Sequence, residues 1–223
     1  MTDTGYSEGI VYPGDAGAAG TGTIQYHTPE LPFGTTASIA YNTNMSGDAA
    51  SGNATGSSGN SREEYSIVSA PVDGLTLSAH YNKVNDYDDG VTTEEQLEDG
   101  GSYAIKYAAG NFTVGYGKSF QSPEITTALT TAGATTVEYY ENTGMSVGVA
   151  VNDDLSISFT REESLENFAT SATAGTEIEM DSIQIAYSLG GATLSIARAD
   201  YENVNYQANE DATETIVAMT FAF

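Results

Sequence analysis

The last eleven residues of the chain, TETIVAMTFAF, alternate between two kinds of side chain. Val217, Met219, Phe221 and Phe223 fall on one face of an extended strand, and Ile216 with small residues falls on the other. An apolar strand that is left unpaired at a sheet edge recruits other chains. A strand that stays apolar to its last residue therefore predicts a closed sheet. A transmembrane β-barrel provides one, because its strands turn apolar side chains outward and closure leaves no edge.

The same alternation recurs in eleven stretches joined by connections that are alternately short and long. Outer-membrane barrels have short periplasmic turns and long external loops. The sequence therefore predicts an all-β fold, a transmembrane antiparallel up-and-down β-barrel. The predicted strands are residues 21–28, 35–43, 64–70, 75–83, 101–109, 112–120, 137–151, 155–163, 179–189, 192–202 and 213–223.

Three stretches carry a family resemblance. The terminal series Val217, Met219, Phe221 and Phe223 is similar to the assembly signal of Gram-negative outer-membrane barrels. The segment IQYHTP, followed by Phe33 and Gly34, and the run of residues 140–155 are similar to strands and turns of porins. The chain resembles the general bacterial porins, closest to the alphaproteobacterial type, over about residues 20 to 223. The resemblance implies a homotrimer inserted by the barrel-assembly machinery and in contact with outer-membrane lipid and lipopolysaccharide.

Eleven strands is an odd number, whereas bacterial barrels have an even one. Two readings of the Gly-rich residues 1–19 stay open: they supply a twelfth strand, or the chain is the C-terminal part of a 16-stranded barrel. By resemblance, the second reading makes residues 1–19 the end of a loop that narrows the pore. Asp3, Glu8 and Asp15 are then its candidate constriction residues.

The charge of the chain bears on its partners. It has 31 acids against 6 bases and a formal net charge of −25. Nucleic acid is excluded as a partner, because phosphate binding needs clustered Lys and Arg. For a channel that passes small hydrophilic solutes and ions, an excess of acids predicts a preference for cations.

The two faces of the predicted strands assign candidate sites. The polar face carries the candidate pore-lining residues Gln25, His27, His80, Asn82, Lys106, Glu138 and Gln184. Four bases fall on the apolar face near the long connections, where they would contact lipid headgroups: Lys83, Lys118, Arg161 and Arg198. Glu141 and Asp200 fall on the same face and do not fit a purely apolar register.

Other classes of function leave little trace in the sequence. No catalytic constellation, metal site or cofactor motif is found, so an enzyme is not predicted; a hydrolase with paired carboxylates would have only Glu138 in mid-strand. The alternative to a porin is a secreted acidic β-rich adhesin or envelope-layer module that binds divalent cations. Its candidate site is the acidic loop that contains Asp86, Asp88, Asp89, Glu94, Glu95, Glu98 and Asp99.

Overall fold

The computed structural model describes residues 23–42, 61–85, 96–123, 125, 136–170 and 174–221. These residues form one antiparallel sheet and a short 3₁₀ turn at Val204–Tyr206. The strands are β1 (Thr23–His27), β2 (Thr35–Asn42), β3 (Ser61–Ser69), β4 (Leu75–Asn85), β5 (Asp99–Ala109), β6 (Phe112–Ser122), β7 (Val137–Ala150), β8 (Leu155–Phe168), β9 (Glu177–Leu189), β10 (Ala192–Glu202) and β11 (Ala212–Phe221).

Each strand pairs antiparallel with the next one along the chain, so the sheet is an uninterrupted up-and-down meander. Its order runs from β1 to β11, and these two strands are its edges within the described residues. The alternation of short and long connections therefore gives the sheet a short-turn end and a long-connection end. The predicted meander of eleven strands is confirmed. Residues 1–19, the candidate twelfth strand, lie outside the described residues.

The register of the strands shows how far they lean. A row of directly opposed residues that begins at Leu75, the first residue of β4, reaches β10 at Arg198. Arg198 is six residues beyond Ala192, the first residue of β10, so the row climbs six residues over six strands. A residue spans about 3.4 Å along a strand, and neighbouring strands lie about 4.8 Å apart. If all the short turns lie at the same height, the strands must therefore tilt by about 35° from the barrel axis. That tilt is typical of closed barrels.

The strands run further toward the long-connection end than the sequence predicts. β8 continues to Phe168, five residues past the predicted end, and β9 begins at Glu177 rather than at residue 179. The apolar alternation stops at Arg161, which is why the sequence places a boundary nearby. The ladder continues because polar residues oppose one another there and Arg161 pairs with Asp181 on β9.

Glycines with positive φ lie in four of the short turns. In the turn between β3 and β4, Gly74 has φ +77°, and a Cβ there would lie 2.1 Å from the carbonyl oxygen of Ala108. The Ala108 amide donates to the Gly74 carbonyl at 2.8 Å, which brings the two backbones together. Only glycine fits this approach.

Across the described ranges, no helix is both long enough and apolar enough to span a membrane.

Candidate functional site

Burial in this sheet is the reverse of that in a water-soluble β protein. Many large apolar side chains are exposed, among them Val217 at 65%, Phe221 at 56% and Ile183 at 55% exposure. The buried polar side chains include Asn82 and Ser164, both at 0%, and Arg62 at 5%. A β-sandwich would bury its apolar face against a second sheet. Here the apolar face, called the outward face below, meets the surroundings, and the polar inner face is the more enclosed one.

The outward face carries a continuous apolar belt between the short turns and the long connections. One row of directly opposed residues crosses five strands without a polar side chain: Val149, Ile157, Ile185, Ile196 and Val217. Tyrosines stand at several positions of the belt, and exposed examples are Tyr65, Tyr81, Tyr103 and Tyr116. Aromatic side chains at the borders of an apolar band are typical of transmembrane barrels.

Four ion pairs border the belt at the long-connection end, and together they are called the ion-pair girdle. The four bases predicted to face outward each reach a carboxylate on the same face. The pairs are Lys83–Glu63 at 3.5 Å, Lys118–Glu141 at 2.5 Å, Arg161–Asp181 at 2.5 Å and Arg198–Asp200 at 2.9 Å. Glu141 and Asp200, which did not fit an apolar register, are therefore partners of these bases.

Two carboxylates of the girdle lie directly opposite each other in the ladder. Asp181 on β9 opposes Asp200 on β10, a like-charge pair that is unfavourable by itself. Arg161 forms two hydrogen bonds with Asp181, and Arg198 forms two with Asp200. The Thr213 hydroxyl also donates to Asp200 at 2.7 Å. Sequence alternation locates these acids but does not show that two arginines neutralise them.

The inner face is lined mainly by Ser, Thr, Gly, Ala and Asn. Of the candidate pore-lining residues, Gln25, His27, His80, Lys106 and Gln184 lie on this face by register and are exposed or half-buried. Asn82 also lies there but is fully buried. Glu138 falls at an irregularity of the β7–β8 ladder, so alternation does not determine its face. Its carbonyl accepts a hydrogen bond from Gln96 Nε2 at 2.8 Å.

A hydrogen-bond network crosses the inner face near the long-connection end. Arg62 donates to Asn82 Oδ1 at 3.1 Å and lies 3.8 Å from Glu98, and Gln121 also donates to Glu98. Buried and half-buried polar groups therefore connect β3, β4 and β6 with Glu98, the residue that precedes β5. The sequence analysis missed Arg62, which follows a polar stretch and is not marked by the apolar alternation.

All six Lys and Arg residues lie in the described ranges. Four belong to the girdle, and Arg62 is buried beside Glu98. Lys106 is exposed on the inner face and makes no ion pair within the described residues. The carboxylates assigned to the inner face by register or contact are Glu64, Glu98, Glu162, Glu166 and Glu214. Acids therefore outnumber bases on this face.

One carboxyl group beyond the girdle has a perturbed pKa. Burial, followed by the charges of Glu163 and Glu179, raises the pKa of Glu177 at the outer end of β9. Glu163 and Glu179 are directly opposed, so three acids share this stretch of the outward face.

Several predicted site residues lie outside the described ranges. They are Asp3, Glu8 and Asp15 of the predicted constriction, Phe223 of the assembly signal, and Asp86, Asp88, Asp89, Glu94 and Glu95 of the acidic loop. The other three residues of the assembly signal, Val217, Met219 and Phe221, are exposed on the outward face. Within the described part of the chain, no group of three His, Cys, Asp or Glu residues is placed to hold a metal ion.

Comparison with known proteins identifies the fold. No protein-family model matches the chain, and no curated protein matches it. Solved structures do match, among them the outer membrane channel DcaP of Acinetobacter baumannii, with 10% sequence identity and a TM-score of 0.59. The likeness covers 88% of this chain and 60% of DcaP, so the chain spans less than two thirds of that channel's length. The chain has the fold of a transmembrane antiparallel up-and-down β-barrel.

Proposed function

We propose that the chain forms a passive, water-filled channel for small hydrophilic solutes and ions in a bacterial outer membrane. The observation that carries this proposal is the inverted burial: an apolar belt faces outward, and hydroxyl, amide and charged groups face inward. Lipid is the surrounding that favours such an outward face, and water is the one that favours such an inner face. The likeness to an outer membrane channel supports the same proposal.

We propose that the channel prefers cations. The four bases of the girdle contribute little to the lumen, because they face outward and are neutralised by carboxylates. Arg62 is buried beside Glu98, which leaves Lys106 as the exposed inward base. A lumen wall that carries more carboxylates than bases concentrates cations and repels anions.

The remaining expectations concern partners. We propose that the terminal strand, with Val217, Met219 and Phe221 exposed outward, is recognised by the barrel-assembly machinery and that the assembled protein is a homotrimer, as in porins of the alphaproteobacterial type. We propose that the girdle lies at the level of the lipid headgroups. Because each base of the girdle already has a carboxylate partner, phosphates of outer-membrane lipid and lipopolysaccharide would have to share it.

The inverted burial also argues against the adhesin alternative. A secreted β protein is dissolved in water and would bury side chains such as Val217, Met219 and Phe221 rather than expose them. Nor does any arrangement of described residues suggest a catalytic site, so we propose no enzymatic activity.

Planar-bilayer recording tests the channel. Detergent-extracted protein is added to one side of a lipid bilayer under a KCl gradient, and heat-denatured protein is the control. We expect discrete conductance steps and a reversal potential of the sign that cation selectivity produces. A preparation that dissolves without detergent and gives no steps would refute the proposal.

A matched pair of lysines tests the origin of the selectivity. Lys106→Gln removes an exposed inward charge, and we expect it to increase the preference for cations. Lys118→Gln removes an outward charge of the girdle and should leave the reversal potential unchanged. If both variants shift the reversal potential equally, the assignment of inner and outward faces is wrong.

A further inference from the structure

The connection between β10 and β11, residues 203–211, is called the inner loop here, because it turns back over the inner face. Val204 is buried and packs against Ala199 and Tyr201, with Met180 and Ala212 also in contact. All four of these partners lie on the inner face by register. This cluster is an apolar patch on a face lined mainly with small and polar groups.

Tyr206 extends the contact across the wall. Its hydroxyl lies 2.6 Å from Ser164 Oγ on β8, and its ring lies 5.3 Å from the ring of Tyr140 on β7. Ser164 donates its one hydroxyl proton to Asn142, so the Tyr206 hydroxyl is the donor in the contact with Ser164. From β10 to β7 is three strand spacings, about 14 Å. The inner loop therefore covers a substantial part of the wall.

The inner loop is held in a defined conformation. Four of its residues have left-handed φ values of 57° to 68°: Asn203, Asn205, Tyr206 and Asn209. Asn tolerates this region, but a bulky side chain such as Tyr adopts it only where contacts impose it. The Val204 amide donates to the Glu210 carbonyl at 2.7 Å, and Asn203 Nδ2 donates to the Glu177 carbonyl at 2.9 Å.

The charge around the inner loop has one sign. Glu210 and Asp211 are exposed on the loop itself, and Glu166 acts electrostatically on Tyr140 beneath it. No Lys or Arg lies on the inner face of β7 to β11 within the described residues, since Arg161 and Arg198 both face outward. A solute that passes this level meets carboxylates and the loop backbone.

We infer that the inner loop is a constriction of the channel at its long-connection end and contributes to its cation preference. The inference rests on the proposed channel function, and it assigns the narrowing to described residues that the sequence analysis treated only as a connection. Tyr206 is its positioning residue, because it ties the loop to β7 and β8. Glu210 is its charge-selecting residue.

The register allows the loop to be removed cleanly. Tyr201 and Ala212 are directly opposed, so replacing residues 202–211 by Asn-Gly leaves a two-residue hairpin of a favoured type. We expect the single-channel conductance of this variant to rise roughly 1.5-fold or more, because a layer of polypeptide leaves the lumen. Glu210→Gln in the full-length chain should move the reversal potential toward zero and leave the conductance nearly unchanged.

A second measurement does not depend on the deletion variant folding. The chain has no cysteine, so Asn205→Cys introduces a single thiol on the exposed part of the loop. A charged methanethiosulfonate reagent should reduce the conductance of this variant. The control is Asn85→Cys, at the last residue of β4 and on the outward face, and this variant should not respond.

The outcomes separate the two proposals. Wild-type steps that are unchanged by loop removal and by modification at residue 205 would overturn the constriction and leave the channel standing. A wild-type protein that never conducts would overturn both. Larger steps without the loop, together with block at residue 205 and none at residue 85, would establish the constriction.

Discussion

Ile185 and Gln184 are neighbours in β9 whose side chains leave the sheet on opposite faces, which makes them a direct test of what surrounds each face. Ile185 faces outward, midway between Asp181 of the girdle and Leu189 at the short turn. At about 3.4 Å per residue and about 35° of tilt, the girdle is about 11 Å higher along the membrane normal. Ile157 and Ile196 flank it on the neighbouring strands.

Ile185→Arg places a charge at the middle of the belt. An outward arginine at the midplane of a membrane barrel costs about 2–4 kcal/mol. At 1.4 kcal/mol for each factor of ten, that is a loss of about 30- to 700-fold in the folding equilibrium constant. Leu189→Arg, on the same face at the end of the strand, should cost only about 0–1 kcal/mol. Gln184→Arg points inward between Ser158 and Ala197 and should change stability by less than about 0.5 kcal/mol.

The assay is reversible unfolding in guanidinium chloride from lipid vesicles, followed by circular dichroism because the chain has no tryptophan. Linear extrapolation gives the free energy of unfolding of each variant. The expected order of loss is Ile185→Arg, then Leu189→Arg, then Gln184→Arg. If Gln184→Arg costs as much as Ile185→Arg, the inner face is a dry core, and the reasoning from inverted burial is refuted.

Three further predictions concern the turns, the girdle and the pH dependence. Gly74→Ala should lower the free energy of unfolding more than Gly110→Ala. Both glycines have left-handed backbone conformations, which cost alanine about 1–2 kcal/mol, but only a Cβ at residue 74 would also collide with a carbonyl oxygen. Equal losses in denaturant unfolding would contradict this reasoning. Arg161→Gln should lower the temperature at which the folded band disappears in gel-shift assays, because Asp181 then opposes Asp200 without its partner; adding Asp181→Asn should restore much of the loss, and no restoration would argue against charge repulsion. Because the pKa of Glu177 is raised in the fold, its protonated form is favoured there, so the outer ends of β8 and β9 should lose amide protection, measured by hydrogen exchange, as the pH rises through that pKa. Glu177→Gln should remove this dependence, and a wild-type protein whose protection does not change with pH would contradict the assignment.

Much of the fold was predictable because each strand is read locally. A period of two places Leu75 and Leu77 opposite Thr76 and Ser78 whatever happens elsewhere in the chain, and Gly and Pro mark the turns. The positions of Lys83, Lys118, Arg161 and Arg198 on the outward face followed from the same counting. Strand ends beyond Arg161 did not, because polar residues extend a ladder only when the opposite strand supplies partners.

The candidate site was less predictable because its parts are far apart in sequence. Lys118 and Glu141 are separated by the whole β6–β7 connection, and their contact depends on the register between those strands. The same holds for Arg62 with Asn82 and for Tyr206 with Ser164. Alternation assigns a residue to a face but does not say which residue of the next strand lies beside it. Glu141 and Asp200 therefore do not fit the apolar face until the register of the strands shows their basic partners.

The sequence by itself determined that this protein is an up-and-down sheet with one apolar face, because side-chain direction in a strand depends only on the order of residues. The tertiary structure decided which charges neutralise one another, how far the strands lean, and that residues 203–211 turn back over the inner face. Those features depend on register and on contacts such as Tyr206 with Tyr140, which form only when distant segments are brought side by side.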